Sequence, residues 1–344
     1  MHIASSLKKK LIVYLGLSTG LFLALAIQLL SPSATAEGVS ERTTLPPPRL
    51  SIFSTRIIPN YDTMLMTQLV NYTKGNLNGT CPDEMAIYVH GFNRDGAELG
   101  EELNRILLSL NQSNYSIPLV GFSWTSNTDW LHAQHNAVDS GGELANFIIE
   151  FDKPNQCPNT LVRILAHSLG ATVIESTLST LQSHTISNIG DNNNSKLIKS
   201  VHLLGAAVDN KMILRNTSFG NALEQVVDKF YNLYSSQDDG LEFNQFFEGH
   251  DPLGLVGLSK YPTEIWPRNY NETDVTTAIP PLSDADGDGN FEECFEGFIP
   301  GFVPDSQDGF GDNHCGYIGF RQSFSNSIID DGVIDLVVTD WMNS

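Results

Sequence analysis

The chain has 344 residues, of which 41% are hydrophobic and 17% are charged, a composition typical of globular proteins rather than disordered ones. Its formal net charge of −21 argues against nucleic acids and anionic lipid surfaces as partners, because like charges repel. The length is sufficient for one large domain or two small ones with a sizeable buried core.

The N-terminus has the pattern of an export signal. The basic residues Lys8–Lys10 precede an uncharged, mostly apolar run of 20 residues, 11–30, and the small residues of 31–36 resemble a cleavage site. This pattern predicts a signal peptide over residues 1–36. A run of that length can also span a bilayer, so a retained membrane anchor is the alternative, and membrane contact is expected only in that case. Either way, the folded part is predicted to lie outside the cytoplasm.

Four cysteines fit an exported protein: Cys81, Cys157, Cys294 and Cys315. An even number in such a chain predicts two disulfides. Cys81 and Cys157 each stand just ahead of an apolar, strand-like run, so they can pair if those strands are parallel neighbours. Cys294 would then pair with Cys315. The alternative is buried free thiols; a catalytic cysteine is not indicated, because none has a suitable local setting.

The next segments begin the fold. Residues 37–82 are predicted to be an extended N-terminal segment that contains a strand-like run, Leu50–Ser54. Residues 83–344 then form a single domain, in which apolar runs of strand length alternate with helical spacings. The predicted strands are 85–90, 118–124, 161–166, 201–205 and 230–234, and the predicted helices are 97–110, 132–151 and 171–181. Such alternation predicts an α/β fold: a doubly wound, mostly parallel sheet with helices on both faces.

The texture of the sequence changes after about residue 260. Residues 274–279 are predicted to be a last strand. A loop insertion rich in Gly, Asp and Pro follows over 280–313, and an apolar helix over 332–341 ends the chain. This part is interpreted as an elaborated edge of the same domain.

The strongest motif surrounds Ser168, which stands where the strand 161–166 ends and a helix begins. Small residues flank it two positions away on each side, Ala166 and Gly170. A sharp turn of this kind exposes the serine oxygen and directs the backbone N–H of Leu169 at a developing oxyanion. The motif resembles the nucleophile elbow of α/β hydrolases, with Ala166 in place of the first glycine. The alternative is a serine that only caps a helix.

The resemblance implies a second oxyanion donor upstream. The run from Tyr88 to Asn93 resembles the His-Gly loop that follows the third strand in this superfamily, which assigns the donor to the N–H of Phe92. A glycine that merely ends a strand is the alternative. His167, beside the serine, is interpreted as structural.

The acid and the base follow the serine in the chain order of this superfamily. The spacing Tyr-Ser-Ser-x-Asp after the strand 230–234 resembles the acid loop of small bacterial lipases and assigns the acid to Asp238. Asp239 is the second candidate and Asp209 the third.

Two histidines come after the acid, His250 and His314. His250 follows Asp238 too closely to leave room for another helix and strand. His314 lies beyond the last predicted strand in a His-x-Gly-Tyr run that is similar to the histidine loop of the superfamily. His314 is therefore the predicted base, and the predicted triad is Ser168, His314 and Asp238.

The Asp-rich part of the loop insertion predicts a calcium site. Oxygen-bearing side chains alternate as in the first half of an EF-hand loop, at Asp284, Asp286, Asp288, Asn290 and Glu292. The pattern fails at its twelfth position, which is Phe295, so one structural Ca²⁺ loop is predicted rather than a paired domain. A solvated acidic turn is the alternative. No cofactor is expected in catalysis.

Taken together, the motifs predict a secreted serine hydrolase that cleaves carboxylic esters, either small molecules or lipids, through an acyl-enzyme. An amidase or peptidase with the same triad is one alternative. A non-catalytic extracellular binding protein on a degenerate hydrolase fold is the other.

Overall fold

In the described part of the chain, a sheet of seven parallel strands forms the centre of the fold. The computed structural model describes residues 50–54, 79–94, 96–187, 197–279, 312–321, 328–330 and 332–344. The strands are Leu50–Ser54 (β1), Glu84–Val89 (β2), Leu119–Ser123 (β3), Leu161–His167 (β4), Ile198–Leu204 (β5), Val227–Tyr234 (β6) and Tyr270–Asp274 (β7). They lie in the order β1-β3-β2-β4-β5-β6-β7.

Helices connect these strands. The longer ones are Gly96–Gln112 (α1), Trp130–Phe151 (α2), Gly170–Ser187 (α3), Ser218–Val226 (α4), Asp239–Glu248 (α5) and Ile334–Met342 (α6). One-turn α-helices lie at Leu253–Val256 and Asp312–Cys315, and 3-10 turns at Asn210–Ile213, Thr263–Ile265 and Gly316–Ile318. A short antiparallel pair, Phe320–Arg321 (β8) and Ile328–Asp330 (β9), stands apart from the main sheet.

The central strands are apolar throughout because both faces of the sheet are covered. In β2, Met85 and Ile87 belong to the core shared with α2, α3 and α4, whereas Ala86 and Tyr88 belong to the core shared with α1 and α6. All four side chains are fully buried. Buried parallel strands read as continuous apolar runs for this reason. The predicted doubly wound α/β fold is thus confirmed, and the strand-like run Leu50–Ser54 forms an edge of the sheet beside β3.

The last strand of the sheet is not where the sequence placed it. The prediction of a strand over 274–279 is wrong, because β7 ends at Asp274 and the next residues turn. The Asp274 side chain accepts a hydrogen bond from the N–H of Thr276, and the N–H of Ala278 donates to the carbonyl of Val275. Val275 and Ile279 are buried although they lie in a turn. Their burial produced the strand-like pattern.

The predicted disulfide between Cys81 and Cys157 is confirmed, with 5.3 Å between the two Cα atoms. Each cysteine precedes one of the parallel neighbours β2 and β4, so both lie at the same end of the sheet. Cys315 is disulfide-bonded as well, and its predicted partner, Cys294, lies outside the described residues. Disulfides are typical of proteins outside the cytoplasm.

The predicted export signal, residues 1–36, also lies outside the described residues. None of the described helices combines the length and the hydropathy that a membrane crossing requires.

A buried histidine fastens the C-terminal helix α6 to the sheet. The Nε2 atom of His202 lies 3.3 Å from a carboxylate oxygen of Asp340, and its ring stacks on Tyr231 at 4.4 Å. Arg163 packs over the ring of Trp341 on the same helix. Burial lowers the pKa of His202 and outweighs the attraction of Asp340, so the imidazole is neutral in the folded protein.

This histidine is expected to make stability fall as the pH falls. Unfolded histidine takes up a proton below its ordinary pKa of about 6.5, whereas folded His202 resists protonation, so its contribution is present above that pH and is lost below it. Between pH 7 and pH 5, the free energy of unfolding of His202→Gln should depend less on pH than that of the wild type. The two slopes of the free energy of unfolding against pH should differ by up to about 1.4 kcal/mol per pH unit, the value for one bound proton. His135→Gln, a change at an exposed site, is the control. Equal slopes for His202→Gln and the wild type would contradict this role.

Candidate active site

Ser168 occupies a strained turn between β4 and α3. Its φ of +54° lies in the left-handed region, which costs a non-glycine residue about 1–3 kcal/mol and persists only where the surroundings enforce it. Here the N–H of Ser168 donates to the carbonyl of Leu204 at the end of β5, at 3.0 Å. The N–H of Ala207 in turn donates to the carbonyl of Ser168, at 3.2 Å. The turn is therefore held by the neighbouring strand, as in a nucleophile elbow.

Two glycines allow this turn to approach β2 closely. A Cβ atom at Gly170 would lie 2.8 Å from the carbonyl oxygens of Val89 and His90, and one at Gly91 would lie 2.7 Å from the Cβ of Ser168. Ala166 is different, because it is part of β4 and lies fully buried, paired with strands on either side. Its methyl group fits where the elbow motif more often has glycine.

His90 fixes the loop that follows β2. Its Nε2 accepts a hydrogen bond from the backbone N–H of Trp124 at 3.1 Å, and its carbonyl accepts one from the Trp124 indole at 2.9 Å. The other ring nitrogen, Nδ1, lies 2.9 Å from the carbonyl of Gly91. The loop then turns through Asn93, which has a φ of +53°. These bonds hold Gly91 and the following residue beside Ser168.

The two predicted oxyanion donors are the backbone N–H groups of Phe92 and Leu169. Within the described part of the chain, neither donates a hydrogen bond to a backbone carbonyl. Leu169 directly precedes the first turn of α3, where N–H groups lack partners within the helix. Among the described residues, therefore, no backbone acceptor competes for either group.

The predicted acid and base lie in contact. The Nδ1 of His314 is 2.9 Å from Oδ1 and 2.8 Å from Oδ2 of Asp238, and both side chains are buried. Asp238 also caps α5, because its Oδ1 accepts a hydrogen bond from the N–H of Leu241 at 2.9 Å. The carboxylate is therefore fixed from two sides while it orients the imidazole.

The other candidates have other surroundings. Asp239 is the first residue of α5, and burial raises the pKa of its carboxyl group. Asp209 caps a 3-10 turn through the N–H of Lys211. His250 is half-buried in the bend that follows α5. Of the three acids considered, Asp238 is the one against the Nδ1 of His314.

His167 links the elbow to the loop that carries His314. Its Nε2 lies 2.8 Å from the carbonyl of His314, and the two rings are 4.7 Å apart. Burial, followed by the neighbouring His314, lowers the pKa of His167 well below its usual value, so the ring is neutral and its Nε2–H donates to that carbonyl. His167 therefore ties the loop that carries His314 to the residue next to Ser168.

A buried charge network that the motifs did not indicate supports the same loop. Arg94, two residues after Phe92, places its Nη2 3.0 Å from the Sγ of Cys315. Its Nε donates to Glu102 at 3.0 Å, and the other oxygen of Glu102 accepts from the hydroxyl of Tyr88 at 3.0 Å. Arg94 therefore joins the loop that follows β2 to the segment that carries His314 and Cys315. Arg94 and Cys315 are 221 positions apart, so no local sequence pattern predicts their contact.

The described residues contain no group of three or more His, Cys, Asp or Glu side chains that could hold a metal ion. The predicted calcium ligands, residues 284–292, lie outside the described residues.

The comparison with protein families relates the chain to a hydrolase family. A model described as "Alpha/beta hydrolase of unknown function (DUF900)" matches residues 71–265, which is more than half of the chain. The matched range includes Phe92, Ser168 and Asp238, while His314 lies beyond it. The comparison with curated proteins finds no match.

Proposed function

We propose an activity for this chain, which belongs to the α/β-hydrolase family of unknown function DUF900. In this proposal it is a serine hydrolase, and it cleaves carboxylic esters through an acyl-enzyme. The family supports a hydrolase. The observation that supports a serine hydrolase is the short contact between the buried side chains of His314 and Asp238. The carbonyl of His314 is in turn bonded to His167, the residue next to Ser168. An imidazole that a carboxylate orients in this way is the proton acceptor that a serine hydroxyl needs to become a nucleophile.

In the proposed reaction, the Oγ of Ser168 attacks the ester carbonyl while His314 accepts the hydroxyl proton on Nε2. Asp238 holds the Nδ1–H and stabilises the imidazolium that forms. The N–H groups of Phe92 and Leu169 bind the oxyanion of the tetrahedral intermediate. His314 then gives its proton to the departing alcohol. The same imidazole then deprotonates a water molecule that attacks the acyl-enzyme, and it returns this proton to the Oγ of Ser168 as the carboxylic acid leaves.

We further propose that this reaction takes place outside the cytoplasm. The disulfide between Cys81 and Cys157 and the signal-like N-terminus support that location. The proposed substrates are small-molecule or lipid esters, and the negative charge of the protein disfavours nucleic acids.

Labelling with a fluorophosphonate probe tests the proposal, because the probe phosphonylates only an activated serine. The wild type should be labelled, and Ser168→Ala should not. Ser176→Ala is the matched control, since that serine lies on the helix that follows the elbow and bonds a backbone carbonyl of α2. Absence of labelling in the folded wild type would favour a non-catalytic binding protein instead, and amide turnover without ester turnover would favour an amidase.

A structural calcium ion in the loop 284–292 also remains a proposal. If the concentration of free Ca²⁺ is 100 times the dissociation constant of the loop, calcium adds about 2.7 kcal/mol to the free energy of unfolding. Chelation should then lower the melting temperature by about 5 °C. The variant Asp286→Asn should lose this response, whereas an equal response in the variant and the wild type would remove the assignment. Calorimetry with EDTA and with excess Ca²⁺ provides the measurement.

A further inference from the structure

Helix α5 turns an apolar face toward solvent. Three phenylalanines at positions i, i+3 and i+4 share this face, Phe243, Phe246 and Phe247, and are called the phenylalanine face below. Phe246 is 81% exposed and Phe247 is 61% exposed. The ring of Phe247 lies 4.3 Å from that of Phe243 and 5.3 Å from that of Phe246, so the three form one patch. Contiguous exposed apolar groups of this kind mark a surface that another apolar body covers.

This helix begins in the candidate active site. Its N-cap is Asp238, the residue bonded to His314. One turn further on, Leu241 is buried in a small apolar cluster with Ala207 and Leu255. The N–H of Ala207 donates to the carbonyl of Ser168. The first turn of α5 therefore packs against the residue that is bonded to the backbone of Ser168.

Trp130 contacts the other end of α5. It packs against the same small cluster, and its ring lies 5.1 Å from that of Phe92, the proposed oxyanion residue. Its indole N–H donates to Glu248 at the end of α5. Both ends of α5 are thus fixed relative to the reacting groups, one by Asp238 and the other by Trp130.

The charge around the phenylalanine face restricts what can cover it. Helix α5 carries Asp239, Glu242 and Glu248 and no basic residue, and the whole chain has a net charge of −21. Anionic headgroups are repelled by such a surface. An uncharged apolar phase can cover the exposed rings and does not repel the acidic residues around them.

We propose that the phenylalanine face adsorbs the protein to the water interface of an aggregated, uncharged ester, so that the substrate class is neutral esters with apolar acyl chains. This inference rests on the proposed function, since it concerns the delivery of substrate to Ser168. The rings of Phe246 and Phe247 enter the apolar phase, which brings the interface next to the helix whose N-cap is Asp238.

Adsorption without turnover tests the surface alone. Full-length Ser168→Ala protein is mixed with a neutral triolein emulsion, and the protein left in the water phase is measured after centrifugation. Adding Phe246→Ser and Phe247→Ser should lower the partition coefficient about tenfold or more, because each ring no longer gains from leaving water. Adding Ile186→Ser instead should not, although Ile186 is 53% exposed, because it lies at the far end of α3 from the elbow.

Turnover in the Ser168-containing protein provides the second measurement. Rates on tributyrin are compared below and above its solubility limit, and the ratio of the two should fall about tenfold in the double Phe→Ser protein but not in Ile186→Ser. If the double change alters neither the partition coefficient nor the ratio of rates, the inference is overturned. The proposed function still holds in that case, provided that the probe labels Ser168. Conversion of a dimer into a monomer by the double change would also overturn it, because a second copy would then be the occupant. Loss of labelling in the parent protein counts against the proposed function instead.

Discussion

Replacing Ser168 with alanine is expected to lower kcat for ester hydrolysis about 10⁶-fold, and His314→Ala should have the same effect. Serine and histidine act as one unit, because the hydroxyl attacks only when the imidazole takes its proton. The double variant should therefore be no slower than either single variant. Residual turnover above the rate in water should come from the N–H groups of Phe92 and Leu169, which neither change removes.

Two controls separate this outcome from loss of folding. The melting temperatures of the variants should stay close to that of the wild type, and relief of the strained φ at Ser168 is not expected, because alanine also has a Cβ. His250→Ala should keep activity within a few-fold of the wild type, since that residue lies in the bend after α5. A Ser168→Ala protein that retains more than a few per cent of the wild-type kcat, or additive losses in the double variant, would contradict the proposed mechanism.

The fold could be predicted where the sequence pattern follows from burial on both faces. After the first residue of each strand, every position of β2 and β4 is buried between the helix layers, so the runs at 85–90 and 161–166 predict these strands directly. The disulfide prediction depended on the same strand assignments, because Cys81 and Cys157 come together only if β2 and β4 are adjacent and parallel.

The pattern fails at the edge of the sheet for the opposite reason. Among the described strands, β7 pairs with β6 alone, and most of its residues are exposed or half-buried. Its sequence, Tyr-Asn-Glu-Thr-Asp, therefore has no apolar run. The buried Val275 and Ile279 just beyond it do form a strand-like pattern, although their backbone turns. Hydrophobic periodicity reports burial and does not distinguish a buried turn from a strand.

The candidate site was predictable as far as its parts are local. The elbow at Ser168 and the loop at His90 each depend on a few consecutive residues, and the chain order then points to His314. The contacts of Arg94 with Cys315 and of His167 with His314 join distant segments, so no single stretch of sequence contains them. The choice between adjacent aspartates depends on which of them caps α5, which is a matter of backbone geometry.

That choice leads to the second large effect: Asp238→Asn is expected to lower kcat/KM for ester hydrolysis about 10⁴-fold, whereas Asp239→Asn should change it by less than about tenfold. Asparagine at position 238 can still accept the hydrogen bond from the N–H of Leu241, so α5 keeps its cap and the free energy of unfolding should change little. The amide cannot stabilise the imidazolium of His314 and favours the wrong tautomer of the ring, so the loss is catalytic. Steady-state kinetics and urea denaturation of both variants provide the measurement. A large loss of activity in Asp239→Asn, with Asp238→Asn close to the wild type, would reassign the acid to residue 239.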